Sequence, residues 1–322
     1  MKIVLCSLFL LVGFGYAQTN TYTKWTNLAF QANGKTNATE ILGDYLHFYH
    51  LSWEGVRIQS FVVSWQRTNT VFVLKFLPQK SQKTIVFVHG YLDHVGNYGA
   101  FYEFFLAQGY TIVAMDLPGH GLSSGLRTGI EDFSEYAEAL ESVLQRVDVP
   151  QRFVAMGFST GCSVWIEYLH NHRREKRIEK LVLVSPLVRL VNWNMALMGY
   201  NILGGILTEV PRSQNKTTSD KDFLDFIYNK DPLQEKKVHL SWLRAARNWH
   251  ERVILYPSFG TFPVLMVQGR EDSVVDWKYN LPVLQRIFPS LEVNLYRGNH
   301  HLLMERNRLE IYQDILSFLE GI

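Results

Sequence analysis

Five short runs of consecutive apolar, largely β-branched residues punctuate the chain. They are Lys83 to His89, Tyr110 to Met115, Phe153 to Met156, Leu181 to Val184 and Val264 to Val267. Runs of this length without polar alternation predict strands covered on both faces, as in a parallel sheet. Helical spacing fills the gaps, over Asn97 to Ala107, Asp132 to Val147, Thr160 to Asn171 and later Trp277 to Ile287. Ahead of them, Arg57 to Trp65 and Val71 to Phe76 flank the turn residues Gln66 to Asn69 and predict an antiparallel hairpin. Strands alternating with helices predict a mostly parallel, doubly wound α/β sheet. Residues 18–50 support no assignment.

The alternation stops between residues 187 and 258, where helical periods continue without a strand-like run. The stretch from Leu187 to Leu207 is apolar enough to raise a membrane-spanning reading, but Arg189, Asn192, Asn194 and Asn201 make it costly. A helical insert packed over the sheet fits better. The expected division is a core of residues 18–186 and 259–322 with a cap of residues 187–258.

Residues 1–17 read as a cleaved leader. Lys2 precedes the apolar run Ile3 to Phe14, and Gly15-Tyr16-Ala17 places small residues at the cleavage positions. The chain is therefore expected to be exported, to the periplasm, the outer surface or the medium. Of its two cysteines, Cys6 leaves with the leader and Cys162 remains, so no intramolecular disulfide is expected.

Composition narrows the picture further. A chain of 322 residues that is 47% hydrophobic and 19% charged can bury a large core. A formal charge of +2 gives no electrostatic footprint for nucleic acid. There is no HExxH pattern and no cysteine pair, and His170 and His172 are two apart and diverge on a helix, so neither metal nor cofactor is expected.

The chemistry concentrates at Gly157-Phe158-Ser159-Thr160-Gly161, which follows a strand-like run and opens a helical one. A G-x-S-x-G in that setting forms a sharp turn that lifts the serine hydroxyl above the sheet edge, at a helix N-terminus. A serine needs a base, and the acid and histidine should follow it in the chain. His300 and His301 follow the strand-like Leu291 to Tyr296. Adjacent side chains diverge, so one of them at most faces Ser159, and the residues alone leave the choice open. Asp272 lies three residues beyond Gly269 and is the expected acid; Asp276 reads as an N-cap and Glu271 as solvated. Backbone donors for a tetrahedral oxyanion are expected at Thr160, after the nucleophile, and at Tyr91, with Leu92 in reserve. Cys162, in the helix after the serine, reads as a small buried hydrophobe.

At these residues the chain resembles the α/β-hydrolase superfamily, and within it the lysophospholipase and monoacylglycerol lipase branch, which shares a family with serine aminopeptidases. The resemblance rests on VHGYLDHVGNY, DLPGHGLSSG, GFSTG, GREDSVVD and GNHHLLMERN, in that order over residues 85–310, and on SWLRAARNW in the cap. It implies the α/β-hydrolase fold with a helical lid, and a catalytic set of Ser159, Asp272 and His301. His301 is chosen because the family histidine lies three residues after the glycine of the last motif. It implies oxyanion amides at Tyr91 and Thr160. Many relatives carry His and Met where GFSTG has Phe158 and Thr160, which puts substrate choice in question.

The expected activity is release of a fatty acid from a single-chain glycerolipid through an acyl-enzyme. Leu187, Val191, Trp193, Met198 and Leu203 of the cap are expected to cover the acyl chain, and the cap to touch a membrane or micelle transiently. The alternatives are an aminopeptidase, holding a substrate amine through Asp220, Asp222, Asp225 or Asp231, an acyltransferase, and a lipid-binding module without catalysis.

Overall fold

A computed structural model describes residues 20–322 apart from 36, 67 and 174. The leader expected over residues 1–17 lies outside the described residues. The antiparallel pair β1 (Val56–Trp65) and β2 (Asn69–Pro78) opens an eight-stranded sheet. It continues with β3 (Lys83–Val88), β4 (Tyr110–Met115), β5 (Phe153–Phe158) and β6 (Ile178–Val184). A separate hairpin, β7 (Glu209–Pro211) and β8 (Lys237–His239), interrupts before β9 (Val264–Gly269) and β10 (Leu291–Tyr296) complete the sheet. The spatial order is β1-β2-β4-β3-β5-β6-β9-β10, and from β4 onward all neighbours are parallel.

The continuous apolar runs are explained by the two layers that cover the sheet. In β3, Val86 and Val88 enter one hydrophobic core while Ile85 and Phe87 enter the other. In β5, Phe153 and Ala155 face the first core and Val154, Met156 and Phe158 the second. Side chains alternate at period two, and both faces are dry. The helices Phe133–Arg146 and Thr160–Asn171 cover one face; Gly99–Ala107 and Arg308–Glu320 cover the other.

The chain runs from β3 outward to β4 and then returns past β3 to β5. This reversal places the loops after β3 and β5 side by side at the carboxyl edge of the sheet, where open α/β sheets open a crevice.

Two regions differ from the sequence reading. Residues 20–32 and Thr39–Phe48 are helical, and the second helix buries Leu42, Tyr45 and Leu46. Within residues 187–258, β7 and β8 form a hairpin of three-residue strands, too short to leave a periodic signal. The rest of that stretch includes the helices Trp193–Leu203, Lys221–Asp225 and Leu240–Val253. Among the described residues no helix is long and apolar enough to cross a membrane.

Candidate active site

Ser159 sits between β5 and the helix Thr160–Asn171 with φ +52° and ψ −112°. A non-glycine residue seldom occupies this backbone region, and such outliers cluster at functional sites. The turn closes because its flanks are glycine. A Cβ on Gly161 would lie 2.0 Å from the Val88 carbonyl oxygen, and one on Gly157 would lie 2.5 Å from the Gly161 carbonyl carbon. The Ser159 amide donates to Val184 O at 2.9 Å, which ties the turn to β6.

The Ser159 Oγ lies 3.0 Å from His300 Nε2, and His300 Nδ1 lies 2.9 Å from Asp272 Oδ2. All three side chains are buried. Asp272 Oδ1 accepts the amides of Val274 and Val275, each at 2.9 Å, and Oδ2 also accepts from Gln268 Nε2 at 2.9 Å. Burial alone would push this carboxyl up. The charge and hydrogen bond of His300, together with the two amides, outweigh burial and hold Asp272 below the usual carboxylate range. An ionised Asp272 fixes the imidazole proton on Nδ1, so Nε2 is left to accept from the serine hydroxyl.

This geometry corrects the histidine expected from the resemblance: His300, and not His301, bridges Ser159 and Asp272. The turn after β10 brings the second residue beyond Gly298 to the site, one fewer than the family spacing implies. The Asn299 side chain tightens this turn. Its Oδ1 accepts the His300 amide at 2.8 Å and both the amide and hydroxyl of Ser273 at 3.0 Å. The Ser185 hydroxyl donates to His300 O at 2.7 Å. The rings of His300 and His301 are 5.6 Å apart and cross at 76°, the divergence anticipated for neighbours. His301 turns instead toward Thr217 and Asp93. Gly298-Asn299 is the turn the sequence offers to carry the histidines to the sheet edge; Ser185 and Gln268 escaped the sequence reading.

The loop after β3 brings Tyr91 beside the nucleophile. A Cβ on Gly90 would lie 3.2 Å from the Ser159 Cβ. Among the described residues, neither the Tyr91 nor the Thr160 amide donates to a protein acceptor. Thr160 opens its helix, so its amide has no partner within the helix. Both amides are thus left without a protein acceptor, as an oxyanion site would require. The Tyr91 ring stacks on Trp242 with centroids 3.9 Å apart, and its hydroxyl donates to Thr128 O at 2.7 Å. Phe158 packs against both His300 and His301, with centroid distances of 5.0 Å.

The cap candidates divide differently from expectation. Leu187 is buried beneath the elbow, its amide 3.3 Å from Ser159 O and its carbonyl accepting Ser163 Oγ at 3.0 Å. Trp193 is buried in the core and faces His250, and Val191 is half-buried with its amide on Val274 O at 2.9 Å. Met198 and Leu203 face outward. The helix Trp193–Leu203 packs through Trp193 and Leu197, and its opposite face carries Met195, Met198 and Ile202.

Several of the other groups singled out in the sequence have structural partners. Asp276 caps the helix Trp277–Ile287 and pairs with Arg189 at 2.6 Å. Glu271 accepts the Gly298 amide at 2.6 Å. Asp220 caps its own short helix, and Asp231 is buried against Tyr49 and His94 at 2.7 and 2.8 Å. Cys162 is buried, its thiol 3.0 Å from Gly157 O. Among the described residues no His, Cys, Asp and Glu group could hold a metal ion.

Comparison with known proteins agrees with the fold. The chain is 29% identical over 202 residues to phospholipase YtpA of Bacillus subtilis, covering 60% of this chain and 76% of that one. It is 30% identical over 258 residues to human monoglyceride lipase, covering 72% and 80% respectively. A solved soluble variant of the Saccharomyces cerevisiae monoglyceride lipase superposes with a TM-score of 0.69 at 15% identity, covering 82% of this chain and 96% of the other. Residues 79–307 match the family model described as serine aminopeptidase, S33. The chain belongs to that family and has the α/β-hydrolase fold.

Proposed function

We propose that this chain is a serine ester hydrolase that releases a fatty acid from a single-chain glycerolipid, a monoacylglycerol or a lysophospholipid. The observation that carries the reading is the unbroken chain of hydrogen bonds from Ser159 Oγ through His300 to Asp272. His300 Nε2 takes the hydroxyl proton as Ser159 Oγ attacks the ester carbonyl. Asp272 stabilises the imidazolium that forms. Negative charge then develops on the carbonyl oxygen, where the amides of Tyr91 and Thr160 can donate to it; one such donor contributes about 2.7–4 kcal/mol. His300 returns the proton to the leaving alcohol, and water attacks the acyl-enzyme by the same path in reverse. The names of the relatives, phospholipase and monoglyceride lipase, support the substrate class.

The insert supplies a lipid-facing surface. Met195, Met198, Ile202, Ile206 and Leu207 are exposed, Ile206 at 80%. A contiguous apolar face on a polar chain marks an interaction surface, and a bilayer or micelle holding the substrate suits it. The leader-like residues 1–17 support action outside the cytoplasm.

An aminopeptidase reading needs free carboxylates for a substrate amine. Asp220 caps a helix, Asp225 pairs with Lys230 and Asp231 is buried in a hydrogen-bonded pair, so of the four carboxylates only the exposed Asp222 is left to hold an amine, which favours the lipid reading. The test is product release from a lysophosphatidylcholine, a monoacylglycerol and a proline amide, with Ser159→Ala as the blank. Turnover of either lipid and not the amide is expected, and turnover of the amide alone would overturn the reading. In the same assay Met198→Glu combined with Ile202→Glu should slow hydrolysis of lipid in vesicles and leave a soluble short-chain ester unaffected.

A further inference from the structure

His301 faces away from the nucleophile, yet it joins three elements that build the site. Its amide donates to Thr217 O at 2.8 Å, and its Nδ1 lies 2.8 Å from Thr217 Oγ1. With Nδ1 accepting from that hydroxyl, the ring proton resides on Nε2, which lies 3.6 Å from Asp93 Oδ2. Asp93 is two residues beyond Tyr91 and is buried. Its Oδ1 accepts the His94 amide at 2.9 Å and Asn97 Nδ2 at 2.7 Å, and its Oδ2 accepts the Tyr98 hydroxyl at 2.6 Å. Between Tyr91 and Asp93 stands Leu92, at φ +60°, a backbone region a leucine holds only when its surroundings impose it. The Leu92 carbonyl accepts from Gln234 Nε2 and lies 3.5 Å from Arg212 Nη1, so the insert imposes part of this turn.

The insert is also laced to the histidine loop. Asn299 Nδ2 donates to Lys216 O at 2.7 Å, the Thr218 hydroxyl to Met304 O at 3.0 Å, and the Ser219 amide to Glu305 Oε2 at 2.8 Å. His301 stands where this lacing meets the loop after β3.

We propose that His301 is a positioning residue: through Asp93 and Thr217 it holds the loop after β3 so that the Tyr91 amide points at the forming oxyanion. The inference rests on the reading of Ser159 as nucleophile. An interaction of this kind acts where charge develops and not where the substrate first binds. Its loss therefore lowers kcat and leaves KM. Removing an oxyanion donor outright costs about 100- to 1000-fold in kcat, and displacing one should cost less, about 10- to 100-fold.

The test measures kcat, KM and Tm on a soluble short-chain ester for His301→Ala, Asp93→Asn and the double variant. His301→Ala should lose about 10- to 100-fold in kcat with KM little changed. The double variant should fall no more than about threefold below the weaker single, because both replacements break one link. His301→Gln keeps an N–H to offer Asp93, and should recover part of the loss; it also serves if the alanine variant does not fold. A kcat within about twofold of wild type, a change confined to KM, or multiplying losses in the double variant would overturn the positioning role. The two readings separate cleanly. A wild type without Ser159-dependent turnover defeats both, whereas an active wild type with an equally active His301→Ala defeats only this one.

Discussion

His300→Ala is expected to lower turnover about a millionfold, close to the effect of removing the serine itself, because residues of a triad act as a unit. The loss follows from geometry: His300 Nε2 is 3.0 Å from Ser159 Oγ, and no other imidazole of the described residues bonds to that hydroxyl. Without it the hydroxyl keeps its proton at neutral pH and is a poor nucleophile. The neighbouring His301→Ala stays within about 100-fold of wild type, since that ring works through a loop and not on the reacting atoms. Steady-state rates of the two variants, with matched circular dichroism, check the contrast. A His301→Ala loss larger than that of His300→Ala would return the catalytic role to His301.

Asp272→Asn should reduce kcat about 10,000-fold with the fold retained, because an amide beside His300 Nδ1 selects the wrong tautomer. The carboxylate accepts from His300, Gln268 and two backbone amides, an arrangement that favours its ionised form. Asp276→Asn is the matched comparison. Asp276 lies four residues on, caps a helix and pairs with Arg189, so its loss should cost about 1 kcal/mol of stability and little activity. Thermal unfolding and initial rates on both variants separate the roles. Equal kinetic losses would mean that the acid is misassigned.

How much of this was legible in the sequence depended on where the information resides. The sheet was legible because strands dry on both faces carry a signal in a single short run, as Tyr110 to Met115 shows at its observed bounds. The elbow was legible because steric closure admits only glycine at 157 and 161. The acid could be placed because its loop leaves β9 directly. The histidine could not be placed from the residues, and family spacing chose wrongly. His300 is brought into place by the local bond of its amide to Asn299 and by the bonds that tie Asn299 to Ser273 and His300 to Ser185, partners distant in sequence. The cap was the least legible part. Apolar content alone did not say which residues of the helix Trp193–Leu203 face the core, and Met198 and Leu203 proved to face outward. The buried links of His94 to Asp231 and of Asp93 to His301 were equally invisible, since they join the loop after β3 to the insert and to the histidine loop across more than a hundred residues of chain.

Every step of the proposed reaction needs an activated Ser159. The most direct measurement is exposure of the purified chain to a fluorophosphonate, followed by intact mass and peptide mapping. One adduct per chain on Ser159 is predicted, lost in His300→Ala and retained, though formed more slowly, in His301→Ala. An adduct elsewhere, or none under conditions that label a known serine esterase, would contradict the account.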